Sequence, residues 1–150
     1  MAQKKTILLF GPTASGKSKL AVDIAKRLNG EIVNADSMQV YKEIKILSAR
    51  PNDKSVKHHL YGFVSVEDNF SVGSWYKLAA TKIKEINKKG KVAIVVGGTG
   101  LYFKALVGGL AEIPEVPKID YSYLNPMGRW MMQDHYSKKY PKIFEGINRN

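Results

Sequence analysis

Residues 10–21 read FGPTASGKSKLA, which sets Gly11, Gly16, Lys17 and Ser18 at the Gly-x4-Gly-Lys-Ser spacing of a phosphate-cradling Walker A loop. The motif constrains the fold because it works in one setting. A strand delivers the chain into the loop, and a helix leaves it with free amides aimed at an anion. Both flanks fit. Thr6 to Phe10 is a short apolar run, and Leu20, Ala21, Ile24, Ala25 and Leu28 recur at helical spacing until Asn29-Gly30 ends the pattern. Gly11, Pro12, Thr13, Ala14, Ser15, Gly16, Lys17 and Ser18 are therefore the candidate diphosphate- or nucleotide-binding residues. Lys17 adds a mobile charge, and the Ser18 hydroxyl can ligate Mg²⁺.

The rest of the chain continues the alternation. Glu31 to Ala35 reads as a second strand that ends at Asp36, and residues 42–59 read mostly as loop around the turn Arg50-Pro51-Asn52-Asp53. Leu60 to Val66 has the composition of a short strand. From Ser71 the spacing predicts a helix with Trp75, Ala79, Ile83 and Ile86 on one face, stopped by Lys88, Lys89 and Gly90. Lys91 to Val96 is a continuous apolar strand of the kind buried on both faces of a parallel sheet. The turn GGTG at 97–100 then leads into a helix, Leu101 to Val107, closed by Gly108-Gly109.

Strands alternating with helices imply an α/β, P-loop NTPase-like, doubly wound parallel sheet with ligands at the carboxyl ends of its strands. Residues 1–113 make this core. Residues 114–150, which hold Pro114, Pro117, Pro126 and Pro141 among aromatics, read as a short appendage, mostly helical or irregular, with one helix over Met127 to Lys139.

The chemistry of the loop alone leaves several reactions open. A nucleotide hydrolase normally ends an apolar strand in Asp or Glu to hold Mg²⁺, whereas VAIVV ends in Gly97-Gly98. The acidic strand terminus is Asp36, which reads either as a turn aspartate or as a carboxylate able to take a proton beside the phosphate loop. A small-molecule or nucleoside kinase using Asp36 on a hydroxyl and binding ATP in the loop fits these residues, as does a transferase acting on a diphosphate ester. A non-catalytic domain that binds a diphosphate, or a nucleic acid through its phosphates, is the third reading. Adjacent His58-His59 suit packing or surface better than a metal site, because neighbouring strand residues point to opposite faces. Trp75 belongs to the core by its periodicity.

The 150 residues carry a net charge of +11, with 18 Lys/Arg against 9 Asp/Glu in residues 1–113. An excess of this kind fits either a solvated lysine-rich surface or a polyanionic partner such as nucleic acid. The absence of cysteine excludes disulfides and thiolate metal sites. The stretch MAQKKTILLF holds no apolar run of signal-peptide or membrane-span length, so a cytoplasmic monomer without a membrane partner is the expectation.

GPTASGKS, NADSMQVYK at 34–42, HHL at 58–60 with NFSVGSW after it, and VVGGTGLYFKALVGGL at 95–110 followed by Ile113-Pro114 occur in that order. Together they resemble the tRNA dimethylallyltransferase (tRNA isopentenyltransferase) family. The resemblance implies that the loop holds the diphosphate of dimethylallyl diphosphate with Mg²⁺, and that the five-carbon group passes to the exocyclic amine of the adenine beside the anticodon of tRNA. It implies Asp36 as proton acceptor and Lys17 as leaving-group charge. Thr13 and Ser15 would lie on the diphosphate, and Asp36, Ser37, Met38, Gln39 and Thr99 on the tRNA. Two stretches depart from the family pattern. KILSARP at 45–51 has Leu47 and Ser48 for a Gly and a Thr, and Tyr61-Gly62 replaces a commoner Ile/Leu-Asp pair. GINRN at 146–150 resembles the start of a family segment that continues into an arginine-bearing helix, so a chain shortened at its C-terminus, with an incomplete tRNA-binding insertion over 114–150, is the expectation.

Overall fold

A computed structural model describes residues 6–110 and 128–144. The chain divides into two units, Met1–Ala111 and Glu112–Asn150. In the first, β1 (Thr6–Phe10), α1 (Lys17–Arg27), β2 (Gly30–Asn34), β3 (His58–His59), α2 (Val72–Lys88), β4 (Val92–Gly97) and α3 (Gly100–Gly108) follow one another. The four strands form one sheet in the order β1-β4-β2-β3, and every pairing is parallel.

Both faces of β4 are covered, as its unbroken apolar run requires, whereas Leu8 and Phe10 of β1 stay exposed. The residues of β4 alternate in direction. Ile94 and Val96 join Ala21, Val22 and Ala25 of α1 on one side, while Ala93 and Val95 join Trp75 and Ala79 of α2 and Phe103 of α3 on the other. The fold is thus α/β and doubly wound. The Ser71 hydroxyl accepts the Ser74 amide and caps α2, satisfying a donor that the first turn leaves free. Trp75 is fully buried, stacks on Tyr102 with ring centroids 4.0 Å apart, and donates its indole N–H to the Asn34 carbonyl at 2.9 Å. All three observations agree with a core role for this residue.

The sequence pattern misplaces one strand. Leu60–Val66 does not form an element: Leu60 takes φ +62°, which turns the chain out of extended geometry, and only an isolated bridge from Val64 to Tyr41 remains. The strand that extends the sheet is the pair His58–His59, at the end of the presumed loop, in register with Ile32 and Val33. Two residues are too few to show a period. His59 Nε2 donates to Glu31 Oε2 at 2.6 Å, and Lys91 Nζ donates to Glu31 Oε1 at 2.8 Å. Burial acts to raise the Glu31 pKa, but the hydrogen bonds from Lys91 and His59 outweigh it and hold the carboxyl at about 2. Burial, joined by the charges of Lys82 and Lys57, lowers the His59 pKa against the opposing pull of Glu31.

In the second unit, α4 (Arg129–Lys139) and the single turn α5 (Pro141–Phe144) are described. A Lys138–Asp134 pair at 2.7 Å and stacked Tyr136 and Tyr140 rings line α4. The expected helix matches α4 from Arg129 onward, and its start at Met127 lies outside the described residues, as do Pro114, Pro117, Pro126 and residues 146–150.

Candidate active site

Three adjacent strands deliver the candidate residues to one edge of the sheet. β1 ends at Phe10 and enters the loop, β4 ends at Gly97, and β2 ends at Asn34 ahead of Asp36. The loop closes on Gly16 at φ +81°, with Ala14 also left-handed at φ +62°. No side chain caps α1 and its first turn holds no acid, so its open amides and positive dipole end remain available to an anion. Lys17 Nζ donates to the Pro12 carbonyl at 2.8 Å, lying back over its own loop. Thr13, Ser15 and Ser18 are exposed beside it.

A long-range lattice of hydrogen bonds joins the two other strand ends. A Cβ on Gly97 would run into the Ala35 carbonyl, so glycine lets the backbones of β4 and residue 35 close together. The Ala35 amide donates to the Val96 carbonyl at 2.8 Å and the Thr99 amide to the Ala35 carbonyl at 3.2 Å. Thr99 Oγ1 accepts the Ser37 amide at 2.9 Å and donates to Ser37 Oγ at 3.2 Å. Buried Asn34 fixes what lies between. Its Oδ1 accepts the Asp36 amide at 2.9 Å, and its Nδ2 donates to the carbonyls of Asp36 and Leu60, each at 3.0 Å.

The result is a half-buried Asp36 whose two oxygens differ. Oδ1 accepts the Met38 amide at 2.9 Å, so the turn role of this aspartate is real. Oδ2 faces the glycine turn. A Cβ placed on Gly98 would stand 3.8 Å from Asp36 Oδ2 and 3.5 Å from the Gly11 carbonyl oxygen, so the carboxylate and the entrance to the phosphate loop flank the same glycine. Burial, with the Asp36 charge adding, pushes the Tyr61 hydroxyl pKa upward, and the Tyr102 hydroxyl is pushed up to about 12 by burial, Tyr41 and Asp36. Both phenols are neutral donors at pH 7.

Gly11 through Ser18, Asp36, Ser37 and Thr99 thus gather at one sheet edge. Met38 points into solvent, and Gln39 spends its side-chain amide on the Ser48 carbonyl at 2.9 Å. Sequence reasoning missed Asn34; its signal was a polar residue two places before Asp36 in a strand otherwise apolar after Glu31. Among the described residues no group of three or more His, Cys, Asp or Glu could hold a metal ion.

A family model described as IPP transferase matches residues 39–146. The chain belongs to the IPP transferase family. It is 54% identical over 144 residues to a tRNA dimethylallyltransferase of Pelagibacter ubique, covering 94% of this chain and 46% of that protein. It is likewise 54% identical over 119 residues to the tRNA dimethylallyltransferase of Rickettsia felis, covering 77% and 38%. The chain spans about half the length, or less, of these curated relatives. Among solved structures, the full-length tRNA isopentenylpyrophosphate transferase of Bacillus halodurans matches with a TM-score of 0.71 at 35% identity, over 97% of this chain and 51% of that one. A eukaryotic dimethylallyltransferase acting on tRNA matches with a TM-score of 0.72 at 30% identity, over 94% and 37%. The P-loop NTPase-like fold expected of the IPP transferase family member is therefore established.

Proposed function

We propose that this chain carries the donor-binding and proton-accepting half of a tRNA prenyltransferase, which moves a dimethylallyl group from dimethylallyl diphosphate to the exocyclic amine of the adenine beside the anticodon. The observation that carries the reading is the shared position of Asp36 Oδ2 and the Gly11 carbonyl around Gly98. It supports a reaction in which a carboxylate works next to a phosphate loop. Family membership supports the choice of a prenyl donor over ATP. In this reading residues 1–113 act as the catalytic core, residues 114–150 stand at the tRNA-binding insertion, and the protein works as a cytoplasmic monomer. Among the described residues no helix is long and apolar enough to cross a membrane.

The amides at the start of α1 and the Lys17 ammonium, released from the Pro12 carbonyl, take the diphosphate. Thr13 and Ser15 donate to its oxygens. As the allylic C–O bond breaks, its electron pair goes to the diphosphate, and the charge that develops there meets donors already in place. The adenine amine forms the new C–N bond and gives its proton to Asp36 Oδ2. Thr99 and Ser37 hold the Asp36 segment and, with Met38 and Gln39, face the tRNA. The target base has to leave its stack to reach this edge.

The donor set suits Mg²⁺: the exposed Ser18 hydroxyl is a hard oxygen at the start of α1, and an ion bound largely by phosphate and water needs few protein ligands. Bound there, Mg²⁺ would neutralise charge on the leaving diphosphate. The test is incubation with labelled dimethylallyl diphosphate and an anticodon stem-loop, in parallel with labelled ATP and nucleoside acceptors. Label in the stem-loop adenine is the expected outcome, and phosphoryl transfer from ATP without prenyl transfer would refute the reading.

A further inference from the structure

Two adjacent aliphatic side chains, Ile46 and Leu47, are 92% and 86% exposed. Single exposed aliphatics are ordinary on a protein surface. Here the pair caps a turn whose backbone is fixed by the bonds Ser48 amide to Ile44 carbonyl at 3.0 Å, Ala49 amide to Ile46 carbonyl at 3.0 Å and Arg50 amide to Lys45 carbonyl at 3.1 Å. Arg50 clamps the base of the turn, donating from Nη1 to the Tyr41 carbonyl at 3.1 Å. Gly62, at φ +54°, leaves room for that guanidinium; a Cβ there would overlap it. The departures at Leu47 and Ser48 therefore lie in this turn, and the departure at Gly62 makes room for the Arg50 side chain that clamps it.

The turn is also tied to the candidate active site. Gln39 Nε2 donates to the Ser48 carbonyl at 2.9 Å, while the Gln39 amide donates to the Asp36 carbonyl at 3.2 Å. One residue thus bridges the base-accepting segment and the turn. Lys42 and Lys45, both exposed and in no ion pair among the described residues, precede the aliphatic pair in the chain; Glu43 accepts the Val66 amide at 3.1 Å. An apolar tip next to exposed lysines fits an RNA loop, whose phosphates attract the lysines and whose bases offer apolar faces. It fits a second copy of a chain of net charge +11 poorly.

We propose that Ile46 and Leu47 form an apolar wedge that enters the acceptor RNA loop and packs against the base next to the target, filling the stack as the target base leaves it. This rests on the acceptor being RNA, as proposed above. A rigid turn suits the task because the side chains are held in place before the RNA arrives. Apolar side chains of this kind unstack neighbouring bases in other nucleic-acid complexes.

The experiment uses the full 150-residue chain and a short RNA stem-loop with 2-aminopurine beside the target adenine, whose fluorescence rises on unstacking. The parent should bind and raise the signal. Ile46→Ser/Leu47→Ser should bind about tenfold more weakly and lose most of the rise, with the salt dependence of binding unchanged. Ile46→Met/Leu47→Met should restore both, which a folding defect in the serine variant would not explain. Lys42→Ala/Lys45→Ala should weaken binding with a shallower salt slope, yet keep the rise at saturation. Parent-like affinity and fluorescence in the serine variant would overturn the wedge alone. Self-association of the parent that vanishes in that variant, with the RNA response intact, would overturn it in favour of a second copy. A parent that binds no RNA would overturn the functional reading and the wedge with it.

Discussion

Thr99→Val isolates the bond that ties two distant parts of the candidate site. Valine keeps the shape of threonine but replaces the hydroxyl by a methyl group. Thr99 Oγ1 accepts the Ser37 amide at 2.9 Å in a half-buried setting, so the substitution leaves that N–H without its partner and also removes the 3.2 Å bond to Ser37 Oγ. An unmet amide of this kind costs about 1–2 kcal/mol, which lowers the melting temperature by roughly 3–8 °C for a domain of this size. The remaining bond, Thr99 amide to Ala35 carbonyl at 3.2 Å, keeps the glycine turn in place. The Ser37 segment therefore loosens against an intact β4. Asp36, one residue away, loses orientation, and single-turnover transfer should fall at least about tenfold. Diphosphate affinity should not change, because no loop residue is touched. Thr99→Ser, which retains the hydroxyl, should restore both stability and rate. Differential scanning calorimetry with pyrophosphate titration provides the assay. A valine variant as stable as the parent would show that this bond contributes nothing and that the Asp36 segment is held by other means.

Lys17→Ala should weaken pyrophosphate binding about tenfold or more by calorimetry while leaving the melting temperature within about 2 °C, since among the described residues its side chain bonds only the exposed Pro12 carbonyl. ATP bound far more tightly than dimethylallyl diphosphate by the parent would contradict the donor assignment. Glu31, held at about 2 against an ordinary 4.5, contributes stability that is fully present above pH 4.5 and lost as the pH falls toward 2. That shift corresponds to about 3 kcal/mol. His59, whose pKa is also lowered, acts in the same direction as the pH drops below its ordinary 6.5. Glu31→Gln should therefore flatten the acid unfolding profile between pH 4.5 and 2, measured by urea denaturation at each pH; an unchanged slope would remove the Glu31 cluster from acid stability.

The elements that sequence patterning located are those whose burial imposes a period. α2 carries Trp75, Ala79 and Ile86 at helical spacing behind a serine cap, and β4 is apolar because both of its faces are covered. β3 escaped because a two-residue strand has no period, and Leu60–Val66 misled because composition says nothing of the left-handed turn at Leu60. At the site, the Walker A spacing marked the loop, and an acid at a strand end marked Asp36. Asn34, which fixes Asp36, and the Thr99–Ser37 bond, which spans 62 positions, needed three dimensions. Lys91 read simply as the start of an apolar strand, whereas its side chain pairs with Glu31 across the sheet.

The central claim is that Asp36 accepts the adenine proton beside a loop that holds the prenyl diphosphate. Asparagine at position 36 can still accept the Met38 amide through its oxygen, so the turn survives while the base is lost. Single-turnover transfer of labelled dimethylallyl to an anticodon stem-loop, compared between the parent and Asp36→Asn at saturating donor, is the most direct measurement. The expected result is a rate about 10²- to 10⁴-fold lower in the variant with donor affinity unchanged. Equal rates, or a loss confined to donor binding, would contradict the claim.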